Sequence, residues 1–127
     1  MTTKMYQNIL LPIDLNQEQL WDKTLERTVN YCHAFGSQLH VMAVLPSYGM
    51  PIVGSFFPRD FAQKARQQAE HKLQEFTKRH IPADIETHCF ITEGKIYQEI
   101  IRYADHYQVD LIVMAARGED EGDYNLG

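Results

Sequence analysis

The chain has 127 residues, 44% of them hydrophobic, 23% charged and 11% aromatic, with a formal net charge of −5. That balance fits one globular domain and excludes disorder, collagen-like repeats and coiled coil. The acidic surplus argues against nucleic acid as a partner, because phosphate neutralisation needs an excess of Lys and Arg. No apolar run approaches the roughly 18 residues of a membrane span, so no membrane insertion is expected. The start of the chain, Met1 to Tyr6, lacks the apolar stretch of a signal peptide. Two cysteines, Cys32 and Cys89, are too few for a disulfide framework. A cytoplasmic protein with reduced thiols is predicted.

The first predicted element is a strand at 8–13, where Ile9-Leu10-Leu11-Pro12-Ile13 is apolar almost throughout, as in strands covered on both faces. It stops at Asp14. From Gln17 to Ala34, the residues Trp21, Leu25, Thr28, Val29 and Cys32 recur at helical spacing, and Gly36 supplies a stop. Leu39 to Leu45 is a second buried-type strand, ended by Pro46. A loop rich in Gly, Pro and Ser runs on to Pro58. A second helix is predicted from about Asp60 to Arg79, with Ala62, Ala65, Ala69, Leu73 and Phe76 on one stripe. Residues 85–91 alternate Ile85, Thr87, Cys89 and Ile91 with Glu86, His88 and Phe90. That alternation predicts an edge strand with one wetter face. Ile96, Ile100, Tyr103, Ala104 and Tyr107 form the next helical stripe. A fourth strand follows at 110–114, and the segment from Gly118 to Gly127 is polar and acidic.

The order β-α-β-α-β-α-β predicts a single α/β domain over 1–127, a doubly wound and mainly parallel open sheet with helices on both faces. The strands at 8–13, 39–45 and 110–114 are expected to be nearly fully buried. In such sheets ligands lie beyond the carboxyl ends of the strands, where the strand order reverses. The residues at those ends are Asp14, the Leu45-Pro46 corner and Ala115-Ala116-Arg117-Gly118.

The other chemistry-bearing residues have plainer explanations. The six histidines show no ligand spacing with Cys, Asp or Glu on one face, and we read them as surface or helix-end residues. Lys64, Arg66, Lys72, Lys78 and Arg79 alternate with Glu70 and Glu75, which describes a solvated helix face. Ser37, Ser47 and Ser55 lack a nucleophile-elbow setting, so no catalytic residue is assigned. Cys32 and Cys89 lie on apolar stripes and are expected in the core. Asp14 alone could serve a helix entry, worth about 0.5–1 kcal/mol.

Met5-Tyr6-Gln7-Asn8-Ile9-Leu10-Leu11-Pro12-Ile13-Asp14 resembles the opening strand of the universal stress proteins, which typically ends in Pro-x-Asp. Leu39 to Leu45 is similar to their second strand. Gly94-Lys95-Ile96-Tyr97-Gln98-Glu99-Ile100, with Ala104 and Val109 to Met114, is similar to their Gly-x-x-x-x-Glu-Ile…Ala…Asp-Leu-Ile-Val-Met stretch. The resemblance covers the chain in order and is nearest to the small single-domain bacterial branch. It implies strand order 3-2-1-4-5, reversing between the first and fourth strands. It also implies a stress-response regulator acting as a nucleotide-responsive binding module, homo-oligomeric and not a dedicated enzyme. Many members bind ATP there. The resemblance then implies a site for ATP or AMP, with or without Mg²⁺, built from Pro12, Ile13, Asp14, Val44, Met114, Ala115, Arg117, Gly118 and Gly127. Asp14 would lie near the ribose and a metal, and the Val44 backbone would meet the adenine edge. Gly118 would be the second glycine of the Gly-x-x-Gly signature and Gly127 the glycine opening its last turn.

The sequence departs from that signature at four points. Ala115 replaces the first glycine, eight residues separate Gly118 from Gly127, and no Ser or Thr follows Gly127. Glu119-Asp120-Glu121-Gly122-Asp123 sets four carboxylates where phosphates would lie. Each such charge a few ångströms from a phosphate costs about 1 kcal/mol even at the dielectric of water. A bridging Mg²⁺ reverses that sign. The acidic spacer keeps a second reading open, a nucleotide-independent dimeric protein that docks a partner such as a transporter. Because the match stops in mid-motif, with no fifth strand, the fourth strand would leave an open apolar edge; we expect a C-terminally truncated form, or else a chain that covers that edge by assembling in a way foreign to the family.

Overall fold

The structure is a computed structural model that describes residues 6–15, 22–45 and 61–115. Its elements run β1 (Asn8–Ile13), α1 (Asp22–Phe35), β2 (Gln38–Leu45), α2 (Phe61–His80), β3 (Thr87–Glu93), α3 (Ile96–His106) and β4 (Leu111–Ile112). The four strands form one parallel sheet in the order β3-β2-β1-β4. This is the predicted α/β architecture. The two most apolar segments occupy the middle, where Ile9, Leu10, Leu39 and Val41 are wholly buried.

Strand alternation sends the sheet residues to two layers. Ile9, Leu11, Ile13, Leu39, Val41 and Ala43 pack with Cys32 of α1 and with Ala69, Leu73 and Phe76 of α2. Leu10 and Met42 face the other way, against Ile100 and Tyr103 of α3. The handedness of crossovers explains the split. α1 and α2 carry the chain across the sheet in one direction and share a face. α3 returns it to the far side of β1 and so lies on the opposite face. α1 ends where predicted, as Gly36 takes a φ of 66° and its N–H donates to the Cys32 carbonyl at 2.8 Å.

The structure corrects the expectations at both sheet edges. β3 is the predicted edge strand, but it spans 87–93 instead of 85–91. The Ile85 N–H donates to the Pro82 carbonyl at 3.1 Å, so a turn occupies the expected first residues. Cys89 is exposed on this strand, not in the core. The inward pairing of Glu86 with Leu39 and of Gly94 with Leu45 leaves the odd-numbered backbone groups of β3 facing outward. One of these, the Ile91 carbonyl, accepts from the Arg66 guanidinium at 2.9 Å.

β4 is much shorter than the buried strand expected at 110–114, with Ile112 39% and Met114 56% exposed. The Asp110 N–H donates to the Asn8 carbonyl and the Val113 N–H to the Leu10 carbonyl. The segment 110–113 therefore advances three residues while β1 advances two, so a bulge flanks the two-residue ladder. On α3 only Ile100 and Tyr103 are buried, whereas Ile96 and Tyr107 of the predicted stripe are exposed. The predicted contributions of Trp21 and Ala62 lie outside the described side chains.

Candidate functional site

β1 lies between β2 and β4, so the sheet order reverses beside it and a crevice is expected at that end. Pro12, Ile13 and Asp14 form the carboxyl end of β1; Ile13 is buried, Pro12 half-buried and Asp14 exposed. Ile13 is paired with Ala43, and Val44 follows that pair as a half-buried residue at the end of β2. On the other side Leu10 pairs with Ile112, and Met114 stands two residues beyond Ile112 as Pro12 stands beyond Leu10. Met114 is exposed and Ala115 half-buried. The carboxyl ends of β1, β2 and β4 are thus neighbours. Arg117, Gly118 and Gly127 lie outside the described residues.

Next to this end, the β3–α3 corner is fastened by the Gly-x-x-x-x-Glu spacing noted in the sequence. The Gly94 N–H donates to the Leu45 carbonyl at 3.0 Å and extends the β2–β3 ladder. Gly94 has a φ of 132°, and a Cβ there would stand 3.1 Å from Glu99 Oε2. Only glycine accepts both constraints. The Glu99 carboxylate receives the Thr92 hydroxyl and the Arg102 guanidinium. The Thr92 hydroxyl, ahead of Arg102, holds the Glu99 carboxyl below its ordinary range against the opposing effect of burial. Thr92 is buried and in register with Val44. Sequence reading found this motif but assigned Glu99 no role.

At the opposite, amino-terminal end of the strands sits a polar cluster that sequence reading missed. His40 is buried, contrary to the expectation that the histidines are superficial. Its Nδ1 lies 2.9 Å from the Tyr103 hydroxyl and its Nε2 3.1 Å from Asn8 Oδ1. The amide oxygen of Asn8 can only accept, so Nε2 carries the proton and Nδ1 accepts from Tyr103. Burial, then the neighbouring His88, lowers the pKa of His40, while Glu86 acts in the opposite sense. Burial pushes the Tyr103 phenol up to about 12 and the Cys32 thiol up to about 11. One sequence signal was available, a lone polar residue inside the apolar run Leu39 to Leu45. Its partner Tyr103 is 63 residues away.

Among the described residues no group of three or more His, Cys, Asp or Glu could hold a metal ion, and no helix is long and apolar enough to cross a membrane. The model of the universal stress protein family matches residues 5–126. Universal stress protein G of Escherichia coli O157:H7 is 24% identical over 127 residues, covering 97% of this chain and 87% of its own. A crystal structure of a universal stress protein family member from Burkholderia pseudomallei superposes with a TM-score of 0.68 at 18% identity, covering 94% of this chain and 89% of that one. A universal stress protein crystallised in complex with cAMP has a TM-score of 0.50 at 15% identity, with coverages of 84% and 70%.

Proposed function

The chain belongs to the universal stress protein family, and from that premise we propose a stress-response regulator that binds an adenine nucleotide where the sheet order reverses beside β1. The observation that carries this reading is the reversal itself, with the ends of β1, β2 and β4 side by side. The residues there suit the ligand. Pro12, Val44 and Met114 offer apolar surface to a purine, and the Val44 backbone offers hydrogen bonds to its edge. The exposed Asp14 carboxylate accepts from ribose hydroxyls and serves a phosphate-bound Mg²⁺. Arg117, Gly118 and Gly127 lie outside the described residues; by residue type they would bring the charge and the side-chain-free backbone that phosphates need. The fold neighbour crystallised with cAMP supports an adenine nucleotide as the ligand class. Binding would act by changing loop order or dimer state, in a module without a catalytic residue.

Titration calorimetry with ATP, AMP and cAMP, each with and without Mg²⁺, tests the proposal. Saturable heat at micromolar ligand that weakens in Asp14→Ala supports it. Silence in every titration up to millimolar ligand overturns it. The four carboxylates of the 119–123 segment favour a second reading in that event, a nucleotide-independent protein that docks a partner.

A further inference from the structure

We propose that His40, Asn8 and Tyr103 form a proton-operated latch that fastens α3 to the amino-terminal end of the sheet. On acidification the latch opens and loosens the end of α3 and the start of β1 before the rest of the domain. The chain of contacts crosses three elements, from Asn8 on β1 through His40 on β2 to Tyr103 on α3. It is built for a neutral imidazole. A proton on Nδ1 turns that nitrogen from acceptor to donor, and the Tyr103 hydroxyl must reverse to receive it. The hydroxyl proton then loses its acceptor in a place lined by rings. Phe90 stands 4.7 Å and Tyr107 4.4 Å from the Tyr103 ring, centroid to centroid. A buried polar group left without its partner destabilises the arrangement that created it.

The surrounding charges set the sense of the response. On β3, the His88 ring lies 5.4 Å from His40 and repels it once both are charged. Glu86 is 3.1 Å from His88 and offsets part of that repulsion, and Cys89 adds to the field at Tyr103. Just past the end of α3, Tyr107 faces His40 at 5.9 Å and meets the His106 ring edge-to-face at 4.6 Å. From beside β4, the Asp110 carboxylate accepts the N–H groups of Gln7 and Asn8 at 2.8 and 2.9 Å and holds the Asn8 backbone. α3 also ends against a constrained turn, since Gln108 has a φ of 53°. The folded imidazole titrates below the ordinary value near 6.5, so its stabilising effect is complete above that pH. It is lost as pH falls from there through the lower folded value. The latch lies at the opposite end of the strands from the proposed nucleotide site and does not depend on it.

The test follows histidine ring resonances and backbone amide protection in the full chain from pH 7.5 to 5. One imidazole should titrate below the ordinary histidine range. Across its titration, protection of the Tyr103 to Tyr107 and Asn8 to Leu10 amides should fall at least tenfold relative to amides around Leu73. His40→Gln, which still hydrogen-bonds but does not titrate, should remove the pH dependence. Should that variant fail to fold, His88→Gln keeps His40 and removes its repelling neighbour, and the midpoint should move upward. Flat protection in the wild-type chain overturns the proposal. So does an equal fall in His40→Gln, or an unmoved midpoint in His88→Gln.

Discussion

At Gly94, any side chain would meet the Glu99 carboxylate, and that carboxylate ties the end of β3 to the first turn of α3 through Thr92. The pair explains in mechanical terms why glycine and glutamate stand five residues apart. Glu99→Gln should lower stability at pH 7 by about 1.5–3 kcal/mol, the usual worth of hydrogen bonds to a charged group. The pH dependence has a definite sign. A carboxyl held low in the folded state contributes stability above its unfolded value of 4.5 and loses it as pH falls through the folded value. Urea unfolding at pH 7 and again below pH 4 should therefore show a gap that narrows in acid. A gap of equal size at both would mean that Glu99 acts by shape alone.

Among the elements, α2 and α3 differ in how much of their apolar surface is used. α2 buries Ala69, Leu73 and Phe76, and Leu73 is wholly enclosed. Leu73→Ala should cost about 2–5 kcal/mol, since it leaves a cavity. Ile101 on α3 is 62% exposed, so Ile101→Ala should stay within about 0.5 kcal/mol. Urea midpoints of the two variants measure the contrast. α3 also marks where periodicity stops being informative. Ile96, Ile100, Ile101 and Tyr103 offer more apolar positions than one short helix can bury, and the sequence does not say which will face the sheet. The same limit hid the bulge beside β4, which depends on two hydrogen bonds to β1 about a hundred residues away. The parallel α/β architecture, and with it the strand ends as the place for a ligand, was legible because the alternation of strands and helices acts on the chain as written. The strand order came from the resemblance, since crossover handedness alone leaves several topologies open. His40 and Tyr103 were not legible, because their bond joins residues that only the finished fold brings together.

For the molecule as a whole, the sheet has a stiff centre and unequal margins. β1 is paired with β2 along its whole length, from Asn8 to Ile13, whereas β4 is held to it by only the Leu111 and Ile112 pairs. Hydrogen exchange should rank them accordingly, with Leu39 to Ala43 slowest and the amides of Leu111 to Val113 at least about 100-fold faster. Equal rates would mean that β4 opens only when the entire domain does.

The bonds between β1 and the segment 110–113 also matter while the protein is being made. The carbonyls of Asn8 and Leu10 are synthesised first, and their partners, the N–H groups of Asp110 and Val113, emerge far later. At about 5–20 residues per second, the interval after β2 is complete is on the order of 3–14 s. During that time the strand at the centre of the finished sheet is an edge strand on the ribosome. Asp110, whose carboxylate caps the N–H groups of Gln7 and Asn8, is among the last residues to reach it. A strand that lies inside the native sheet is thus open to mispairing at birth.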